Sequence, residues 1–408
     1  MRWILFIVIY LLFNFYAFQS VKTLTGKKWV YVMFFALTLI VLANFIYQFI
    51  TPTEGRVLTP AKSYALGFLL TIIALKVVLI SFLFIEDVLR VFYGIYGKLF
   101  GEKPSFYLPS RRKFISQIAL GIAAIPFASM LYGIYKGRYN FKVLTYELEY
   151  PDLPEAFDGY QITQLSDIHS GSFDNKEKIE YAVNLVNQQQ SDAILFTGDM
   201  VNNKADEMEQ WKSTFAKLTA KDGVFSVLGN HDYGDYVNWP SEEAKVKNLE
   251  KLFKIQEDMG FKLLKNETHF ITKNDQRIAL VGVENWGAGR FKKAGDIDKA
   301  TVNVNKEDFK ILMSHDPTHW EQIAVTHPLH YHLTLSGHTH GMQFGIEIPG
   351  WIKWSPAKWR YKYWAGLYEQ DKQIINVNRG FGYLAFPGRV GIWPEITVIK
   401  LKKSSQLA

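Results

Sequence analysis

Four long apolar stretches crowd into the first third of this chain, and none of comparable length follows. They run from Trp3 to Phe18, Trp29 to Ile50, Tyr64 to Ile85 and Ile115 to Ile134. Each approaches the roughly 20 residues needed to cross a hydrocarbon core. Such a chain cannot fold as one aqueous globule. The mean hydropathy of −0.04 averages two unlike regions, predicted as a transmembrane region at 1–140 and a water-facing domain at 141–408. The first stretch has no basic run beyond Arg2 and no small-residue cleavage site, so it reads as a retained helix rather than a signal peptide. Lys76 falls near the middle of the third, where a charge faces a bundle interior or snorkels outward. Aromatic and basic residues from Val88 to Phe100 predict a separate short helix lying in the interface.

The chain has 408 residues and a formal charge of +7. Much of that charge flanks the apolar stretches, so it speaks of membrane orientation and not of nucleic acid, and no nucleic-acid partner is expected. Lys22, Lys27, Lys28, Arg90, Lys98, Lys103, Arg111, Arg112 and Lys113 fall on one face of the predicted membrane. Arg2, Arg56, Lys62, Lys136, Arg138 and Lys142 fall on the other. The excess predicts a multi-pass protein of a bacterial inner membrane with its C-terminal domain outside the cytoplasm. Ser110-Arg111-Arg112-Lys113-Phe114-Ile115 resembles a twin-arginine export signal and equally suits a plain cytoplasmic anchor; both send the domain outward. With no cysteine, a disulfide framework, a thiolate metal site and a Cys nucleophile are all excluded.

Beyond Phe141, apolar runs of strand length alternate with helical patterns. Strands are predicted at Lys142–Tyr150, Gln161–Leu165, Ala193–Phe196, Val224–Leu228, Arg277–Val283, Phe309–Met313, Tyr331–Leu335, Gln373–Val377 and Glu395–Leu401. Helices are predicted at 175–190, 205–219, 242–259 and 317–325, with Asp174 and Ser241 as N-caps and Gly260 closing the third. The order implies one α/β domain of layered sheets flanked by helices. A Gly380-x-Gly382 string is no dinucleotide site, since Pro387 interrupts and no helix pattern follows.

Polar clusters follow five of these strands: Asp167-x-His169, Gly198-Asp199, Gly229-Asn230-His231-Asp232, His315 and Gly337-His338-Thr339-His340. A lone Asp or Asn after a strand usually caps a turn. Five clusters of imidazole, carboxylate and amide in this order point instead to a dinuclear metal site. His269, His319, His327, His330 and His332 match no cluster and read as structural or surface residues.

The set resembles the signature of the calcineurin-like metallophosphoesterases. The membrane-anchored arrangement, with the tail from Asn378 to Arg389 and Pro394-Glu395-Ile396-Thr397, looks like a bacterial subgroup that includes lipid-associated phosphodiesterases. The resemblance implies a β-sandwich flanked by helices and a hydrolase of phosphodiester, pyrophosphate or phosphomonoester bonds. It places Asp167, His169 and His340 on one metal, Asn230, His315 and His338 on the other, and Asp199 between both. His231 would donate a proton to the leaving oxygen, with Asp232 holding its ring in one tautomer. Arg379 and Arg389 in the tail are candidates for substrate binding. Mixed His, Asn and Asp ligands favour two divalent transition-metal ions, Mn²⁺, Fe or Zn²⁺, over Mg²⁺ or Ca²⁺.

Four Trp, two Tyr and four basic residues share Trp351 to Trp364. The mixture suits bilayer headgroups, base stacking or ordinary burial. With the membrane region it predicts membrane lipids as partners and a phosphorylated or lipid-linked small-molecule substrate. A phosphatase of soluble nucleotides or phosphoproteins, and a non-catalytic sensor that keeps the fold, are the competing readings. Oligomeric state is not legible.

Overall fold

The computed structural model describes residues 2–53, 58–101, 109–348 and 350–404. The chain divides into two compact units, one of the N-terminal helices and one beginning at Lys136. Two of the orientation charges, Arg56 and Lys103, lie outside the described residues.

The first unit has four helices: α1 (Arg2–Leu24), α2 (Lys28–Ile50), α3 (Pro60–Leu99) and α4 (Pro109–Tyr135). All four are long and apolar enough to cross a membrane. Thr59 caps α3 by accepting a hydrogen bond from the Lys62 amide, and Pro60 occupies the first helical position, where its missing N–H costs nothing. The separate interfacial helix expected at Val88–Phe100 does not form. Nothing between Ile85 and Val88 breaks a helix, so α3 continues through 40 residues, about 60 Å at 1.5 Å per residue. Lys76 points into the bundle, 2% exposed. Its ammonium donates to Thr38 at 2.7 Å and to Asn14, and lies beside the rings of Tyr10 and Phe34. Arg112, the second arginine of the export-like string, pairs with Glu86 at 2.5 Å and with Asp87, which also accepts from Tyr16 at 2.6 Å and Arg90 at 2.7 Å. That guanidinium joins α4 to α3.

The second unit contains two six-stranded sheets. Its strands in chain order are β1 (Lys142–Tyr150), β2 (Gln161–Leu165), β3 (Ala193–Phe196), β4 (Val224–Ser226), β5 (Phe261–Leu263), β6 (Glu267–Lys273), β7 (Gln276–Gly282), β8 (Phe309–Met313) and β9 (Leu333–Ser336), followed by β10 (Ile346–Ile348), β11 (Ile352–Trp354), β12 (Gly366–Gln370), β13 (Gln373–Val377) and β14 (Glu395–Lys403). One sheet is ordered β1-β14-β2-β3-β4-β5 and the other β12-β13-β9-β8-β7-β6, with β10 and β11 apart as a small hairpin. The middle strands of each sheet run parallel: β2, β3 and β4 in one, β7, β8, β9 and β13 in the other.

Strand alternation builds the layers. Ala193 and Leu195 of β3 face the opposite sheet, where they join Ile311, Met313, Leu333 and Leu335. Ile194 and Phe196 point the other way, onto a helical layer that includes Ile179, Val183, Leu252 and Ile255. Trp320 and Ala324 cover the outside of the second sheet. A sandwich flanked by helices is therefore the observed fold of this unit.

Several local expectations change. Asn175, not Asp174, caps the helix Lys176–Asn187, through a 3.0 Å bond from the Lys178 amide. Ser241 and Gly260 do bound the helix Glu242–Asp258 as expected. The helix expected over 205–219 is two short turns, Asp206–Glu209 and Lys212–Phe215, and that over 317–325 stops at Gln322 before a further turn. Strands β5, β6, β10, β11 and β12 carry no apolar run long enough to have been predicted.

Candidate metal centre

Every cluster sits just past the C-terminal end of a strand near the middle of a sheet: Asp167 and His169 after β2, Asp199 after β3, Asn230–Asp232 after β4, His315 after β8, and His338 and His340 after β9. The sandwich brings these five strand ends together. Gln164 in β2 donates to the Ser336 carbonyl at 2.8 Å, tying the sheets at the rim. The loops then brace one another: the Asp167 amide donates to Gly198, His169 to Asp199 and Gly337 to His315.

The backbone at the site is bent into a conformation side chains rarely adopt. Asp167, His169, Asp199, His338 and His340 all have φ between 48° and 71°, the left-handed region. Five such residues in one place make a cluster of local strain, of the kind that neighbouring structure must enforce. Glycine is required where the loops touch. A Cβ at Gly229 would collide with the Asp199 carboxylate, and one at Gly337 with that of Asp167.

Two ligand groups result. In the first, Asp167, His169 and His340 converge, with the His340 Nε2 3.2 Å from Asp167 Oδ1 and 3.0 Å from the His169 Nε2. In the second, Asp199, His315 and His338 converge. The His315 Nε2 lies 3.1 Å from Asp199 Oδ2 and 3.3 Å from the His338 Nδ1. Asp199 Oδ2 is also 3.6 Å from the His169 Nε2, so one carboxylate oxygen faces both groups. Asn230 adds an amide oxygen that is buried without a partner, while its nitrogen donates to Tyr236 at 2.8 Å. Converging ring nitrogens, carboxylate oxygens and an orphaned amide oxygen are what a cation would satisfy. The residues present fit the two metals that the donor set implies.

Ring tautomers fit as well. The His315 Nδ1 lies 2.7 Å from the Thr197 carbonyl and donates to it, which turns Nε2, the ligating nitrogen, toward Asp199. The His338 Nε2 lies 2.8 Å from the Tyr361 hydroxyl and 3.3 Å from Asp316, leaving Nδ1 toward His315. Burial pushes the His169 and His338 imidazoles down, keeping them neutral. For His315, burial works downward, but the Asp199 and Asp167 charges outweigh it and push the ring up to about 10. Burial likewise raises Asp167 and Asp199, but the facing imidazoles outweigh it and hold both carboxyls below the usual range.

His231 stands edge-on to His169, ring centroids 4.9 Å apart, with Tyr236 across its other side at 4.5 Å. The expectation that Asp232 holds its ring is not met. Asp232 is turned away and accepts from the amides of Gly229, Asp199, Met200 and Val201 at 2.8–3.4 Å. Burial and the Asp199 charge push its carboxyl up to about 7, while those amides pull it down. It shapes the Asp199 loop. The His231 Nδ1 instead meets the Asn202 carbonyl at 2.7 Å.

The tail arginines are also committed elsewhere. Arg379 is held by Glu347 and Glu395, both at 2.5 Å, and is 5% exposed. Arg389 is fully buried, bonded to the Gly380 and Gly382 carbonyls, and its guanidinium reaches within 3.1 Å of the His340 Nδ1. Arg379 has no free face for substrate; Arg389 packs behind His340 with its Nη1 buried and unpartnered. Residues the sequence did not single out are Tyr361, Asp316, Asn202 and Tyr236. Asp316 adjoins His315 and Tyr361 lies in the aromatic tract, but a backbone carbonyl such as that of Asn202 leaves no sequence trace. His319 and His332 are structural, paired with Ser314 at 2.8 Å and Asp152 at 2.6 Å.

Residues 1–138 match the model of a probable calcineurin-like phosphoesterase transmembrane domain, and residues 160–342 match that of the calcineurin-like phosphoesterases. An uncharacterized metallophosphoesterase of Helicobacter pylori is 28% identical, over 99% of both chains. A transmembrane protein with metallophosphoesterase domain from Danio rerio is 26% identical over 80% of this chain and 71% of its own length. The uncharacterized metallophosphoesterase YkuE of Bacillus subtilis is 28% identical over 72% of this chain and 99% of its own. The strand-end ligands, the sandwich that gathers them and the four helices ahead of it make this chain a membrane-associated member of the calcineurin-like metallophosphoesterases, a family of two-metal phosphoric ester hydrolases.

Proposed function

We propose that the chain hydrolyses a phosphodiester, pyrophosphate or phosphomonoester bond of a lipid-linked or envelope substrate, outside the cytoplasm of a bacterial inner membrane. The observation that carries the two-metal part is the Asp199 oxygen facing both groups, 3.6 Å from His169 and 3.1 Å from His315. Asp167, His169 and His340 would hold one ion, Asn230, His315 and His338 the other, and Asp199 both. Mn²⁺, Fe or Zn²⁺ suits this mixture of imidazole, amide and carboxylate. Two such ions, when bound, polarise phosphoryl oxygens and make water a competent nucleophile near neutral pH.

The rest falls to side chains of this chain. With its Nδ1–H held by the Asn202 carbonyl, His231 presents Nε2 as the proton carrier for the leaving oxygen. Tyr361 orients His338, with the Asp316 carboxylate 3.3 Å from the same ring nitrogen. The lipid-side reading draws support from the four membrane helices and the excess of basic residues on one loop face.

The test is hydrolysis by purified, metal-loaded, full-length protein across lipid phosphates, nucleotides and model diesters. Preference for lipid phosphates supports the reading; turnover of nucleotides alone would redirect it to a soluble substrate. Protease added to intact spheroplasts should cut the catalytic unit. Protection until lysis would place it in the cytoplasm.

A further inference from the structure

The hairpin β10–β11 is built inside out. Its cross-strand pairs are Ile346 with Trp354, Glu347 with Lys353, and Ile348 with Ile352. Directly opposed residues share a face, so one face is wholly apolar and the other carries both charges. In a water-soluble sheet the apolar face packs inward. Here the charged face is the one anchored to the domain. Glu347 binds Arg379 at 2.5 and 2.9 Å, and the Lys353 ammonium donates to the Ala365 carbonyl at 2.5 Å across the Trp364 and Tyr368 rings. The apolar face points away, with Ile346 53%, Ile348 43% and Trp354 37% exposed.

The exposure is concentrated. Nine large hydrophobic side chains are exposed among the described residues after Tyr135, and six of them lie between Met342 and Trp359. Trp351 at the hairpin tip is 77% exposed and Trp359 is 75% exposed, the latter edge-on to Trp354 at 5.9 Å. The aromatic tract thus divides: Tyr361, Tyr363 and Trp364 are buried, whereas the other three Trp face outward. Lys358, Arg360 and Lys362 are exposed beside them, and the one acidic residue from Met342 to Trp364, Glu347, is neutralised by Arg379. Indole rings, branched aliphatics and a basic rim match the headgroup zone of an anionic bilayer.

We propose, resting on the phosphoesterase reading above, that this face inserts into the headgroup region of the membrane that anchors the chain and delivers substrate from the bilayer surface. The path to the metal centre is short. Ser355, one residue past β11, donates to the Gly341 carbonyl at 2.6 Å; Thr339 donates to the Trp364 carbonyl at 2.6 Å; and Tyr361 touches His338. The hairpin and the loop carrying His338 and His340 are therefore braced as one piece. A phosphate at headgroup level, with its acyl chains still in the bilayer, is the substrate class this placement serves.

Because the chain has no cysteine, one introduced Cys takes a single label. Full-length Trp351→Cys and Trp359→Cys carry an environment-sensitive fluorophore in nanodiscs of phosphatidylglycerol and phosphatidylcholine containing an acyl-chain nitroxide lipid. Tyr181→Cys, at another exposed site, is the reference. Blue-shifted emission quenched by the nitroxide at 351 and 359, and aqueous emission at 181, is expected. Aqueous emission at all three would overturn the proposal, as would a blue shift that ignores the nitroxide and grows with protein concentration, which is self-association. The same samples are assayed on a soluble diester. Aqueous labels with intact turnover sink the docking face alone; lipid-buried labels without turnover sink the enzymatic reading alone. Ile348→Asn with Trp351→Ser, both at exposed positions, should raise KM for a lipid phosphate several-fold and leave the soluble diester unchanged.

Discussion

Each unit buries a cluster of charged and polar groups, and the two are solved in opposite ways. In the helical unit, Arg112 sits between Glu86 and Asp87, with Arg90 and Tyr16 on the same carboxylates. Cation meets anion and the charges balance, with one Glu86 oxygen, Oε1, left buried without a hydrogen-bond partner. In the catalytic unit, ligand atoms converge on one space: imidazole Nε2 atoms 3.0 Å apart, carboxylates around them and an unpartnered amide oxygen. A self-neutralising cluster joins helices, whereas converging ligand atoms with an orphaned amide oxygen among them are built to receive something. Burial and charge are common to both; the difference lies in which partner is missing.

That contrast can be broken at either end. The largest effect should come from Asp199→Asn, which removes the charge facing both groups. A Lewis acid is worth several kcal/mol of transition-state stabilisation, so hydrolysis should fall on the order of 10³-fold or more, and elemental analysis should show metal lost. Retained metal and rate would mean Asp199 faces the ions without holding them. His231→Ala should cost about 10²–10⁴-fold with both metals kept, as expected of a proton donor. The loss should shrink for a nitrophenyl ester, whose leaving group needs no proton. Metal loss in parallel would make His231 a ligand.

At the other cluster, Arg112→Ala leaves Glu86, 1% exposed, without its counter-ion. Breaking a buried pair costs about 3–5 kcal/mol, so the helical unit should melt earlier in detergent. Metal content should stay unchanged, since the units are separate compact bodies. Parallel loss of metal would contradict that separation. Tyr361→Phe is a smaller lesion. It removes the hydroxyl 2.8 Å from His338, and losing a group that orients a ligand typically costs about 10–100-fold in metal affinity. An unchanged titration would mean that the Tyr361 hydroxyl does not orient His338. Acid should weaken loading generally. Below about 10 the cation-free His315 carries a proton held by Asp199, which an incoming metal must expel, so affinity should rise with pH.

The sequence revealed the parts of this molecule that rest on period and composition. Gln161–Leu165, Ala193–Phe196 and Phe309–Met313 stand where their apolar runs predicted, and the ligands follow them because a strand end is where a side chain leaves the sheet. What was not legible depends on direction. Asp232 adjoins His231 in the chain, yet its turn aims the carboxylate at the Asp199 loop. The left-handed backbones at Asp167, His169, Asp199, His338 and His340 are only faintly marked, by residue types that enter that region more readily than most. Arg379 reads as a substrate ligand until Glu347 and Glu395 prove to occupy it, and the glycine carbonyls take one edge of the Arg389 guanidinium. In the hairpin, Ile346-Glu347-Ile348 alternates in the ordinary way; alternation fixes which residues share a face but not which face meets the domain.

The most direct test of the two-metal centre is metal stoichiometry by elemental analysis on active, full-length protein, repeated on Asn230→Ala. Two ions per chain in the native protein, falling toward one in the variant together with activity, is the expected result. Full activity with one ion or none would contradict the account.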